Sequence, residues 1–196
     1  MVKRVFIIHG WGGNPLEAWF PWLKEELEKR KFNVVIPTMP ETAKPTISHW
    51  VNFLKKTVGK IDEETYFVGH SIGCQTILRY LEKIKDPLKI GGAVLVAPWF
   101  NLIEESYENE EERKIALPWI KKKIKFDLVL NHCENFVALF SDNDPFVPLG
   151  DALLFEEKLH ARTIIAYGKG HFDGASGMKE FPLVLDELLN ISSKTQ

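Results

Sequence analysis

Ser71, Asp144 and His171 are the residues of this chain whose types and settings could together perform nucleophilic chemistry. Ser71 stands in Gly69-His70-Ser71-Ile72-Gly73, directly after an apolar run. A serine hydroxyl is a weak nucleophile until a base takes its proton and an acid orients that base. The reaction such a set supports is acyl transfer. Gly-x-Ser-x-Gly also occurs as a small polar residue in a tight strand-to-helix turn, so the surroundings must decide between the two.

Six histidines compete for the role of base. His49 and His160 fall in helical patterns, and His132 lies in the run-in to a strand. His70 adjoins Ser71, so its side chain should point to the other side of the turn. His9 ends the first strand. His171 remains, in the glycine-flanked loop Gly168-Lys169-Gly170-His171-Phe172 just after the last strand-like run. For the acid, Ser141-Asp142-Asn143-Asp144-Pro145-Phe146-Val147-Pro148 follows another strand. Asp142 and Asp144 are both candidates, and both are also good turn formers. Pro145 holds the residue before it in extended conformation, which favours Asp144.

The elements that must position these groups can be read from periodicity. Short apolar runs recur at Val5–Ile8, Val34–Ile36, Tyr66–Val68, Ala93–Val96, Phe136–Phe140 and Thr163–Ala166. Continuous rather than alternating apolar residues mark strands covered on both faces. Helical stripes lie between them: Phe20, Leu23 and Leu27, with Pro21 in the first turn; Ile47, Trp50, Val51, Leu54 and Val58; Ile77, Leu78, Leu81 and Ile84. Leu149, Leu153 and Leu159 suggest a fourth, and Phe181, Leu185 and Leu188 close the chain behind Pro182. Alternating strand and helix predicts a doubly wound α/β layer, with functional groups at the carboxyl ends of its strands. Ser71, Asp144 and His171 each follow such a strand, in the order Ser, Asp, His that belongs to α/β-hydrolases.

An oxyanion stabiliser needs two backbone N–H groups. Ile72, after the nucleophile, should supply one. The loop His9-Gly10-Trp11-Gly12-Gly13 after the first strand should supply the other, through Trp11 or, alternatively, Gly12. Trp11, Trp99, Phe100, Phe146 and Phe172 flank strand ends and are candidates to line an apolar substrate pocket; core packing is the competing role for each. Cys74, one turn beyond Ser71, reads as an ordinary buried core thiol.

Bulk properties narrow the setting. A chain of 196 residues, 45% apolar and 27% charged, suits one globular domain. A net charge of −2 gives no reason to expect nucleic acid or an anionic membrane as a partner. Two cysteines, Cys74 and Cys133, form neither a disulfide framework nor a metal-type spacing, which favours a reducing cytoplasmic compartment. The apolar run Val5–Ile8 is too short for a signal-peptide core, and no stretch is long enough to span a membrane. Between Trp99 and His132 the rhythm breaks: an acidic stretch (Glu104 to Glu112) precedes a basic one (Lys121 to Lys125). Leu117, Trp119, Ile120 and Ile124 give it apolar material to pack, so residues 100–132 are expected to form a small helical cap; a solvated helix pair is the alternative.

Phe-Ile-Ile-His-Gly-Trp, Gly-His-Ser-Ile-Gly, Asp144-Pro-Phe-Val-Pro and Gly-His-Phe together resemble the retinoblastoma-binding-protein-type serine hydrolase family. The resemblance covers essentially the whole chain. It implies a compact α/β-hydrolase fold with about six mostly parallel strands, lacking the first two antiparallel strands of larger relatives. It also implies Ser71 as nucleophile, Asp144 as acid and His171 as base. The family's name comes from a Leu-x-Cys-x-Glu motif in a mammalian member. The matching stretch here, Gly59-Lys60-Ile61-Asp62-Glu63, lacks the leucine and the cysteine, so no retinoblastoma-type partner is implied.

The expected activity is hydrolysis of a small ester, thioester or amide, with no metal or organic cofactor, by a monomer or weak dimer. Two rivals remain: a catalytically silent binding protein on a hydrolase scaffold, and an acyltransferase that delivers the acyl group to an alcohol or amine.

Overall fold

A computed structural model describes residues 2–193. Six strands form one sheet in the order β2-β1-β3-β4-β5-β6. They are β1 (Arg4–Ile8), β2 (Asn33–Val35), β3 (Thr65–His70), β4 (Gly92–Val96), β5 (Phe136–Ser141) and β6 (Arg162–Ala166). All five pairings are parallel. The expectation of a mostly parallel sheet therefore holds in full. Every predicted run contains a strand, most ends extending by one or two residues, although Ile36 falls just outside β2.

Continuous apolar runs mark the central strands: β3, β4 and β5 are buried along their whole length. The edge strand β6 is different, with Arg162 and Ile165 exposed. Its apolar run reflects one covered face rather than two.

Among the described residues seven helices connect and flank the strands: α1 (Phe20–Lys29), α2 (Ile47–Val58), α3 (Ile72–Leu81), α4 (Glu110–Lys121), α5 (Phe126–Leu130), α6 (Asp151–Leu159) and α7 (Pro182–Ser193). Their mutual contacts fall in two groups, α1 with α7 and the series α2–α3–α5–α6, as two coverings of one sheet require. The stripe predicted for α1 is buried, and Pro21 sits in its first turn. Thr46 caps α2 by accepting the His49 N–H. The stripe predicted for α6 is wrong. Leu149 and Leu153 are exposed, and Ala152, Phe155 and Leu159 face the core instead. Positions 153 and 159 are six apart and lie on different faces of a helix, whereas 152, 155 and 159 keep the 3–4 spacing. No helix among the described residues is long and apolar enough to cross a membrane.

The segment between β4 and β5 holds a short 3-10 turn (Glu104–Ser106), α4 and α5. Its charge segregation has a local cause. Asn109 caps α4 by accepting the N–H groups of Glu111 and Glu112, three glutamates fill the first turn, and Lys121 lies in the last. Acid at the amino end and base at the carboxyl end both complement the helix dipole. Trp119 anchors the segment: its indole N–H donates to Pro45 O at 3.1 Å and its ring meets Trp50 edge-on. Leu117, expected to pack, is partly exposed.

The sheet reverses direction of growth between β1 and β3, and α3 starts there. A Cβ on Gly73 would overlap the Ile8 carbonyl oxygen and lie 2.8 Å from that of His9. Gly73→Ala should therefore lever α3 off β1 and destabilise the protein by about 3 kcal/mol, the upper end for overpacking. Urea denaturation checks this; a loss under half that size would show that the contact yields cheaply.

Candidate active site

Ser71 is the single residue between β3 and α3, with φ 53° and ψ −122°. That conformation is sparsely populated for any residue with a side chain and costs on the order of 1–3 kcal/mol. The turn persists because its surroundings leave no alternative. The Ser71 N–H donates to Val96 O on β4, and the Cys74 N–H returns to Ser71 O, both at 2.9 Å. A Cβ at Gly69 would come within 2.9 Å of the Cys74 backbone, so the strand and helix close against each other through glycine. Burial pushes the Cys74 thiol well above its ordinary range, and its Sγ faces Val96 O.

Asp144 and His171 meet beside this turn. His171 Nδ1 lies 2.8 Å and 3.1 Å from the two carboxylate oxygens of Asp144. Asp144 Oδ1 also accepts the N–H groups of Phe146 and Val147. The carboxylate acts as an acceptor throughout, so Nδ1 donates and Nε2 is left with its lone pair. Asp142, the other candidate acid, accepts the Gly168 N–H at 2.7 Å and does not touch His171. Its neighbours share that structural task. Ser141 Oγ accepts the Lys169 N–H, and Asn143 Oδ1 accepts the Gly170 N–H. Three consecutive side chains thus hold the backbone of the loop that presents His171.

His70 points away from Ser71's hydroxyl, as expected from its adjacency, but it is not idle. Its Nε2 donates to the His171 carbonyl oxygen at 2.7 Å, and the two rings lie 4.9 Å apart. Burial lowers its pKa to about 4, with the nearby His171 adding to the effect. Its Nδ1 is buried against Gly10 and has no hydrogen-bond partner among the described residues. Sequence reasoning missed this role, since only the fold reveals that residue 70 reaches the carbonyl of residue 171.

The loop after β1 is held by His9. Its Nε2 accepts the Met39 N–H at 3.1 Å, so its Nδ1 carries the proton and donates to Gly10 O. The Gly12 N–H donates to Thr42 O and the Gly13 N–H to Gly10 O. The Trp11 N–H has no acceptor among the described residues. Ile72 occupies the first position of α3, where an amide has no intrahelical acceptor.

Ser71, His171, Trp11 and Ile72 share the wall of a cavity of about 500 Å³. Leu102, Tyr107, Glu108 and Glu112 of the β4–β5 segment close another side. Trp99 and Phe146 line it as expected, and Trp99 does more than line: its indole N–H lies 3.4 Å from Ser71 Oγ. No hydrogen bond joins Ser71 Oγ to His171 in this structure. Phe100 and Phe172 do not face the cavity. Phe100 stacks on Phe155 at 4.1 Å, while Phe172 is fully buried and stacks on Phe181. The positive φ of Phe172 (55°) turns the residue after His171 inward to the core. Four carboxylates, Glu17, Glu108, Glu112 and Asp173, stand in the wall, with no lysine or arginine. Burial, with the Asp173 charge adding to it, raises the Glu17 carboxyl above its ordinary pKa.

The serine hydrolase family model matches residues 5–190, and the chain belongs to that family. It is 27% identical to YdeN of Bacillus subtilis over 99% of this chain and 98% of that protein. It is 26% identical to the rat serine hydrolase RBBP9, covering 86% of this chain and 87% of that one. The crystal structure of the B. subtilis ydeN gene product superposes with a TM-score of 0.89 at 26% identity, covering 98% of this chain and all of that one.

The buried neutral His70 has a thermodynamic consequence. Unfolding restores its pKa to about 6.5, so between pH 6.5 and 4 the unfolded chain binds the extra proton. Stability is therefore complete above pH 6.5 and declines as pH falls toward 4, by roughly 3 kcal/mol from this residue. His70→Gln, which keeps an N–H donor, should flatten the pH dependence of unfolding in that window by up to one proton. An unchanged slope would show that His70 is not the group responsible.

Proposed function

We propose that this serine hydrolase cleaves small carboxylic esters, with thioesters and amides as further substrates of the same chemistry, through an acyl-enzyme on Ser71. The observation that carries this reading is the Asp144–His171 pair at 2.8 Å, whose His171 shares one cavity with a serine held at positive φ on a helix amino end. A binding scaffold would have no use for that combination of strain and charge.

On this reading His171 Nε2 takes the Ser71 proton as Oγ attacks the substrate carbonyl. The Trp11 and Ile72 amides receive the charge on the carbonyl oxygen, supported by the α3 dipole. Trp11 is preferred over Gly12 because the Gly12 amide is already committed to Thr42. The proton passes to the departing alcohol, thiol or amine. Water then enters, gives its proton to Nε2 and attacks the acyl carbon; Ser71 recovers the proton and the carboxylic acid leaves. Asp144 keeps Nδ1 protonated and stabilises the imidazolium in both halves. Catalysis requires the Ser71 hydroxyl to leave the Trp99 N–H and close on Nε2, a tightening expected when substrate fills the site. The chain acts on this reading as one domain, its 100–132 segment capping the pocket, in the cytoplasm, where its two buried free cysteines stay reduced.

The carboxylates in the cavity wall bear on substrate choice. Glu17, Glu108, Glu112 and Asp173 repel a second negative charge, so neutral and cationic esters should outrun dicarboxylic half-esters of equal length, by about tenfold in kcat/KM at low salt. Equal rates across a charge-varied p-nitrophenyl ester series would remove that argument.

A fluorophosphonate probe should label the wild type and not Ser71→Ala, while both unfold cooperatively. Asp144→Asn should keep the fold and lower kcat by about 10³–10⁴, because the wrong imidazole tautomer then faces serine. Absence of labelling in well-folded wild type would overturn the proposal. Ester products formed with an added alcohol, in preference to free acid, would redirect it to acyl transfer.

A further inference from the structure

A second cavity, of about 250 Å³, lies under the β4–β5 segment and shares no wall residue with the first. At its inner end is Arg79, which is 1% exposed. Its Nε donates to Gln75 Oε1 at 3.1 Å, and its Nη2 to the carbonyl oxygens of Trp119 and Lys122 at 2.7 and 2.8 Å. None of these partners is a carboxylate. Nη1 is buried without a hydrogen-bond partner among the described residues. Burial lowers the guanidinium pKa to about 10, against the pull of Glu82, so the group remains a cation at neutral pH.

A buried cation whose nearby carboxylate, Glu82, is not in hydrogen-bond contact is under-compensated, and arginine cannot escape by losing its proton. An anion in the cavity would add to that compensation. Lys122, Lys123 and Lys158 stand on the same wall, which contains no acidic residue. The remaining wall is apolar, with Phe100, Ile120, Ile124, Phe126 and Leu154 around the ring of Trp119. Cationic groups at the rim of an apolar lining suit an amphiphilic anion better than an inorganic one. The volume limits its body to a short hydrocarbon chain or one ring.

We propose that this cavity binds a small organic carboxylate, a short fatty acid or a simple aromatic acid. Its carboxylate meets the lysine charges above the buried Arg79 cation, and its hydrocarbon lies against Phe100, Phe126 and Leu154. The site is separate from the Ser71 cavity and does not depend on the catalytic reading.

Calorimetric titration of the full chain with hexanoate and benzoate tests this. Hexanamide serves as a neutral isostere, and inorganic phosphate as an anion without an apolar body. The expected result is carboxylate binding at least about tenfold tighter than either control. Covalent blocking of Ser71 by a fluorophosphonate should leave it unchanged. Lys123 and Lys158 are exposed, so the pair Lys123→Glu and Lys158→Glu should keep the fold and weaken binding by at least about tenfold. Leu154→Trp should weaken it by filling the space. Arg79→Met should abolish it where that variant folds, and the other variants carry the test where it does not. Equal binding of hexanoate and hexanamide, preference for phosphate, loss of binding on blocking Ser71, or indifference to both the charge reversals and Leu154→Trp would each overturn the proposal.

Discussion

The geometry of this protein depends on a reversal of chain direction within one residue. Between the last residue of β3 and the first of α3 there is only Ser71, at φ 53°. So short a turn forces the helix back against the strand it left and the strand beside it. Contact this close tolerates no side chain at two positions, which is why Gly69 faces the Cys74 backbone and Gly73 faces the carbonyls ending β1. The glycines are a consequence of the turn rather than a source of flexibility. Together with the Ser71–Val96 hydrogen bond they make the strained conformation the one the packed sheet permits.

The other two candidate residues are held by a different device. Asp144 and His171 lie on loops, which lack the repeated hydrogen bonds of helix and strand. Each loop is fixed instead by side chains that capture backbone groups. Ser141, Asp142 and Asn143 hold the amides of residues 168–170, His70 holds the carbonyl of His171, and Asp144 holds the two amides that follow it. Asp142 and Asp144 show the division of labour. Two residues apart, one stiffens the loop of His171 and the other meets its imidazole.

That division explains what the sequence could disclose. Strand positions were legible because β3, β4 and β5 are covered on both faces and so read as unbroken apolar runs. The candidate acid and base followed from loop chemistry at strand ends, with Pro145 separating Asp144 from Asp142. Other assignments needed distances that local pattern does not encode. Phe172 adjoins His171 in sequence, yet its positive φ sends the ring into the core. Phe100 follows Trp99, yet it turns to Phe155 while Trp99 reaches Ser71. The face of α6 differs from expectation for a simpler reason: Leu149, Leu153 and Leu159 do not return to one side of a helix, whereas Ala152, Phe155 and Leu159 do. His70 and Arg79 were invisible as structural agents because their partners are backbone carbonyls far along the chain.

α3 unites these observations. All ten of its residues are buried, so its polar side chains must find partners inside the protein. Gln75 Nε2 donates to the Trp99 carbonyl oxygen at 2.9 Å, while the Trp99 indole returns to Ser71 at the start of the same helix. Gln75 Oε1 receives Arg79 Nε, and Arg79 extends to the carbonyl oxygens of Trp119 and Lys122. The β4–β5 segment is therefore fastened to the helix that carries the candidate nucleophile, and Trp99 is gripped by that helix at both ends. In a low-dielectric interior such bonds cannot be exchanged for water at small cost. A displacement of α4 that broke the Arg79 contacts would strand a charge, so the segment has a strong reason to keep one position over the core. Whatever freedom it has must lie farther from Arg79, toward the Glu104–Glu112 end that borders the Ser71 cavity.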